Sequence, residues 1–82
     1  MFYVYVLLCN DGKLYTGYSA NLKDRVACHM SGKVSSTKPR LPVKLVFYEA
    51  YILKSDAQRR EKYLKTTNGK RALKLMLRDT LA

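Results

Sequence analysis

Eighty-two residues, nearly half of them apolar, suffice for one domain with one core, residues 1–82, and exclude both a second domain and a disordered chain. Sixteen Lys and Arg against six Asp and Glu give a formal net charge of +10, and the excess lies entirely after residue 20. Self-repulsion on that scale favours a polyanionic partner, DNA first and RNA second, and no stretch pairs a basic face with the long apolar face that a membrane surface would need.

The chain opens on an apolar run, Phe2 to Cys9, rich in β-branched and aromatic residues. It lacks a basic flank and has only about eight apolar residues, so it reads as a strand and neither a signal peptide nor a membrane span, and the expected location is the cytoplasm. Asn10-Asp11-Gly12 signals a turn, and Lys13 to Tyr18 returns as the second strand of a hairpin. A three-residue loop with Gly12 in the left-handed conformation would pair Leu7 with Tyr15 and Tyr5 with Gly17. Tyr5 and Tyr15 then share a face as diagonal neighbours. The same register leaves open space above Gly17, where a ligand would approach the backbone. A two-residue loop would put the two tyrosines on opposite faces.

Ser19-Ala20-Asn21 caps a helix, with Asp24 in its first turn. Leu22, Val26 and Met30, with Ala27 beside them, form the expected buried stripe, and Arg25 and His29 project together at i, i+4. Ser31-Gly32 ends the helix. Residues 33–42, KVSSTKPRLP, are polar, basic and broken by two prolines. This is a loop whose Ser35, Ser36 and Thr37 hydroxyls and Lys33, Lys38 and Arg40 charges suit phosphate contacts, or else an ordinary solvated connector. Cys9 and Cys28 have no metal spacing and form no disulfide framework, so they are expected to be reduced.

Val43 to Leu53 is apolar on both alternating faces and reads as a strand covered on both sides, the central one. Glu49 interrupts one face and is expected to meet a cation at the strand edge. Ser55-Asp56-Ala57-Gln58 is a capping box for a helix running to about Lys65. Ala57 and Leu64 lie on its inward stripe with Glu61 between them, and a carboxylate there needs a partner, an arginine or something more specific. After a break at 66–69, a last helix from Gly69 to about Leu81 packs Ala72, Leu73, Met76 and Leu77 inward. Lys70, Arg71, Lys74 and Arg78 face outward, suited to a phosphate backbone.

The expected fold is α/β of the α+β type, a small three-stranded antiparallel sheet flanked by about three helices. In order and spacing, these elements resemble the GIY-YIG nuclease superfamily, and in particular its small single-domain bacterial members related to the N-terminal nuclease module of the excinuclease UvrC. Tyr3-Val4-Tyr5 stands where GIY is expected and Tyr15-Thr16-Gly17 where YIG is expected. Arg25, His29 and Glu61 match the family's arginine, its aromatic or histidine position and its metal-binding glutamate. The chain departs from the family at Tyr3, where a glycine is usual, and at Tyr18, where some members carry lysine. Asn68 is the only candidate for the downstream asparagine, at a short spacing from Glu61.

The resemblance implies hydrolysis of a phosphodiester with one divalent cation, Mg²⁺ or Mn²⁺, held by Glu61. Tyr15 would orient or deprotonate water, with Tyr5 sharing its proton network. A phenol with an ordinary pKa of about 10 needs positive charge nearby for such a role. Arg25 would supply that charge and bind phosphate oxygens, and His29 would position water or donate to phosphate. Gly17, Lys33, Ser36, Thr37, Lys38, Arg40, Lys70, Arg71 and Lys74 would contact the nucleic acid. Three function classes follow: an endonuclease acting on DNA, with branched, damaged and single-stranded forms as candidate substrates; a nucleic-acid-binding module without turnover; and a docking domain completed by a protein partner.

Overall fold

In the computed structural model, which describes residues 1–82, β1 (Phe2–Cys9) and β2 (Leu14–Ser19) form a hairpin closed by Asn10, Asp11 and Gly12. Gly12 takes φ 79°, a conformation glycine adopts without steric cost. The Cys9 N–H donates to the Lys13 carbonyl at 2.9 Å, and the strands pair with Leu7 opposite Tyr15 and Tyr5 opposite Gly17. This is the register of the three-residue loop. It sets both tyrosines on one face, with ring centroids 6.5 Å apart.

The hairpin leads into α1 (Leu22–Met30), capped by the Asn21 side chain, which accepts from the Asp24 N–H at 3.2 Å. At the other end Gly32 takes φ 77°. The Gly32 N–H donates to His29 O and the Lys33 N–H to Cys28 O, the paired bonds of a Schellman stop. The helix is rotated from the expected stripe. Ala27 and Met30 are exposed, and the one fully buried residue is His29.

The third strand, β3 (Val43–Tyr51), is an edge and not the centre, because the sheet order is β2-β1-β3, antiparallel throughout. The central strand is β1, whose Val4, Tyr5, Val6 and Leu7 are all buried. Alternation divides them between two cores. Val4 and Val6 pack with Ala57, Leu64, Leu73 and Leu77 on one face, while Tyr5 and Leu7 pack with Cys9 and Val43 on the other. A bulge after Val6 leaves Val46 as an extra residue in β3. Val46 and Phe47, adjacent in sequence, therefore both pack against the first core.

That first core is closed by α2 (Lys54–Leu64) and α3 (Thr67–Met76). The α2 helix starts two residues earlier than the capping box predicts. Leu53 is its N-cap, its carbonyl accepting from Ala57, and Ser55 makes no cap bond. Glu49 does meet its cation: Arg60 of α2 forks onto both carboxylate oxygens at 2.9 and 3.2 Å, and the Tyr51 hydroxyl adds a 2.7 Å bond. This bidentate clasp ties β3 to α2.

The α3 helix begins at Thr67 and ends at Met76, earlier at both ends than expected, with Thr66 as its cap accepting from the Gly69 N–H. Gly69 is therefore inside the first turn and buried against the end of α2. A Cβ there would strike the Tyr63 carbonyl oxygen and lie 2.6 Å from Leu64 Cα. Both are backbone atoms that cannot step aside. Gly69→Ala, a change that normally strengthens a helix by about 1 kcal/mol, is expected here to destabilise by roughly 2–3 kcal/mol, read by urea or thermal unfolding.

Candidate active site

Burial of Tyr5 in the central strand organises the site. Its ring leans across β2 so closely that a Cβ on Gly17 would collide with the phenol. The space above Gly17 is thus filled by Tyr5 and is not open to a ligand, which corrects the expected role of that glycine. Gly17 is buried, and it seats the phenol.

The Tyr5 oxygen has two partners. Arg25 Nε–H donates to it at 3.4 Å, and His29 Nε2 lies 2.7 Å away. Thr37 Oγ1 donates a long 3.5 Å bond to the Val34 carbonyl, so toward the imidazole it accepts, from His29 Nδ1–H at 2.7 Å. In a neutral ring Nε2 is then the unprotonated nitrogen, and it accepts the Tyr5 O–H. The chain is continuous from Arg25 to the loop backbone. It is also coherent in charge: burial, then Arg25, holds the His29 pKa below its ordinary value, and burial holds that of Tyr5 above its own against the pull of Arg25.

Thr37 is consequently fully buried and committed to His29, not free for phosphate as expected, because the loop folds back under α1. Lys33, Ser35, Ser36 and Lys38 remain exposed on its outside. Arg40, also expected at phosphate, makes a 3.0 Å ion pair through Nε with Asp11 of the hairpin turn and lines the same groove as Tyr15. The Lys13 N–H, with Arg40, holds the Asp11 carboxyl below the usual range.

A testable pH dependence follows from His29. In the unfolded chain it titrates near 6.5, while in the fold its pKa is lowered, so below that pH the unfolded state binds the extra proton. Stability is expected to decline as pH falls from about 6.5 toward the folded value. A pH series of urea midpoints on the protein and on Asp11→Asn, which removes the carboxylate whose pKa is also lowered in the fold, checks it.

Tyr15 differs from Tyr5. Its ring stands edge-on to His29 at 5.1 Å, but the bonds of the network run through Tyr5, and Tyr15 lines an open groove. Glu61 comes from α2, on the sheet face opposite α1. Glu61 and Arg25 therefore come from helices on opposite faces of the sheet. The two sets meet at β2, an edge strand over which Tyr5 leans and against which α2 packs. Glu61 is near enough for its charge to push the Tyr5 phenol upward. Its partner is Lys65, 3.1 Å away, rather than an arginine, and Lys65 lines the same groove as Tyr15.

The model of the GIY-YIG catalytic domain matches residues 1–74. The chain belongs to the GIY-YIG family. It is 45% identical over 75 residues to a UPF0213 protein of Staphylococcus haemolyticus, covering 90% of this chain and 92% of that protein. A UPF0213 protein of Pediococcus acidilactici is also 45% identical, over 78 residues, covering 92% and 80%. The solution NMR structure of a UPF0213 protein from Bacillus halodurans superposes with a TM-score of 0.59 at 38% identity, covering 93% of this chain and 85% of that one. The three-stranded sheet with three helices is thus a fold shared with a UPF0213 relative, and the family is a nuclease-type one.

In this GIY-YIG domain the positive charge is concentrated beside the site. The groove is bounded by the hairpin on one side and by α3 and the residues after it on the other, with Lys13, Lys65, Lys70, Lys74 and Arg78 along it. Of the outer cations expected on α3, Lys70 and Lys74 line the groove; Arg71 is exposed outside it. Both cysteines are free, and no helix is long and apolar enough to cross a membrane. Two neighbours of these side chains escaped the sequence reading. Lys65 carried a signal, its i, i+4 spacing from Glu61, whereas nothing local marked Thr37 as the support of His29.

Proposed function

We propose that the protein is a metal-dependent endonuclease that hydrolyses phosphodiester bonds in DNA and acts in the cytoplasm. The observation that carries this reading is the arrangement at β2: a groove-facing phenol, Tyr15, stands beside a buried, charge-ordered network, Tyr5, Arg25 and His29, with a part-buried carboxylate, Glu61, in electrostatic reach. A purely structural sheet face does not require such a network beside a phenol that lines a cationic groove.

Glu61 suits a hard divalent cation. No cluster of three or more His, Cys, Asp or Glu side chains is present, and the carboxylate that this site offers a cation is Glu61. Mg²⁺ and Mn²⁺ accept this, since they retain water and take one or two carboxylates with substrate phosphate completing the shell. Bound at Glu61, the cation would supply charge neutralisation for the phosphate under attack.

The chain's own groups divide the remaining work. Tyr5 holds its proton, because burial raises its pKa and His29 accepts its hydrogen bond, so it orders its neighbours and is not the base. Tyr15 is the phenol available to orient and deprotonate water. Arg25 keeps one N–H on Tyr5 and has its remaining donors for phosphate oxygens, and His29, neutral and buried, positions Tyr5 rather than touching substrate. Lys70 and Lys74 bind the strand beyond the cleaved bond, with Lys33, Ser36 and Lys38 on the far side.

The test is incubation of the pure protein with supercoiled plasmid and Mg²⁺ or Mn²⁺. Nicking that requires the cation supports the proposal. Salt-sensitive binding without nicking on duplex, branched, damaged or single-stranded DNA replaces it with a binding module, and neither binding nor nicking favours a docking domain.

A further inference from the structure

The closest partner of Glu61 is not neutral. Lys65 Nζ sits 3.1 Å from Glu61 Oε2, one helical turn on, with its side chain half exposed while that of Glu61 is mostly covered. An ammonium at that distance holds one of the two carboxylate oxygens and would repel a divalent cation arriving at the same carboxylate. Lys65 ends α2 on a flexible four-carbon stem, and it lines the groove with Tyr15, Lys70 and Lys74. The acidic side chain of that groove, Asp11, is already taken by Arg40 at 3.0 Å. An ammonium driven off Glu61 therefore finds no free carboxylate there, and a phosphate group is the anion that fits.

We propose that Lys65 is a tethered counter-cation: it neutralises Glu61 in the free protein, and a divalent cation at Glu61 releases it into the groove to bind a phosphate of the nucleic-acid strand. This rests on the reading of Glu61 as the metal ligand. Its consequence is a coupling between two ligands. The cation makes strand binding tighter by freeing one ammonium, and the strand makes cation binding tighter by the same factor. Lys65 is a positioning and binding residue in this scheme, and no bond is made or broken at it.

The experiment has two readouts, neither of which is turnover. Mn²⁺ binding to the free protein is measured by electron paramagnetic resonance or calorimetry for the native chain, Lys65→Met, Lys62→Met and Glu61→Gln. Binding of a short DNA duplex is followed by fluorescence anisotropy with and without Ca²⁺ at constant ionic strength. Lys65→Met should bind Mn²⁺ roughly five- to tenfold tighter than the native chain, while Lys62→Met, which removes one exposed charge from the same helix, should change it less than about twofold. Ca²⁺ should strengthen DNA binding by the native chain and do so at least about threefold less for Lys65→Met.

Equal Mn²⁺ affinities for Lys65→Met and Lys62→Met, or an unchanged Ca²⁺ effect on DNA binding, overturn the proposal and leave Glu61 as the ligand. Mn²⁺ binding that is absent from the native chain, or that survives Glu61→Gln intact, overturns the metal-site reading and this inference with it.

Discussion

Glu61→Gln is expected to lower metal-dependent nicking roughly a thousandfold, the scale of removing a principal charge-stabilising group from an active site, while DNA affinity stays within about twofold or rises slightly. The substitution keeps the length and shape of the side chain and the helical position between Ala57 and Leu64. It removes the charge that would hold the cation. The fold should barely register the change, because the lost partner is one lysine at i, i+4, half exposed to water, and such pairs contribute about 0.3–0.5 kcal/mol. DNA binding should not fall either, since the groove cations remain and Lys65 is freed from its carboxylate. Paired assays of nicking and anisotropy on one preparation separate the outcomes. Equal loss of both would mean that Glu61 shapes the groove and not the chemistry.

Local chemistry made much of this architecture legible. Gly12 fixed the loop length of the hairpin and hence the register that places Tyr5 and Tyr15 together, and Asn21 with Asp24 and Gly32 marked both ends of α1. What stayed hidden depended on contacts between distant segments. The apolar pattern of β3 suggested a central strand because the bulge turns Val46 and Phe47 toward one core, which spoils the alternation an edge strand would show. His29 looked like an outward polar residue because its burial is made affordable by Tyr5 and Thr37, 24 residues before and 8 after it in the chain. Glu61 was correctly placed between Ala57 and Leu64, yet only the packing reveals that its helix lies on the other face of the sheet and meets the tyrosines around β2. The candidate residues could be named from the sequence; that Tyr5, Arg25 and His29 join in one network while Glu61 approaches from the other face could not.

His29→Ala is the substitution expected to damage the fold most among the site residues, by about 3–5 kcal/mol. A chain of this length typically has a total stability of about 4–12 kcal/mol, so the variant should unfold at low denaturant. The ring is completely buried, and its removal leaves a cavity between α1, β1 and the loop. It also strips a 2.7 Å partner from each of two buried hydroxyls, Tyr5 and Thr37. Thr37→Val separates the polar part from the cavity, since it is nearly isosteric and deletes one bond; about 1–2 kcal/mol is expected from it. The two variants also divide the pH response. The stability loss below about pH 6.5 should vanish in His29→Ala, which has nothing left to titrate there, and persist in Thr37→Val, which keeps the buried imidazole beside Arg25. A pH response that survives in His29→Ala would place its origin in a carboxylate and would remove the neutral histidine from the network on which the role of Tyr5 depends.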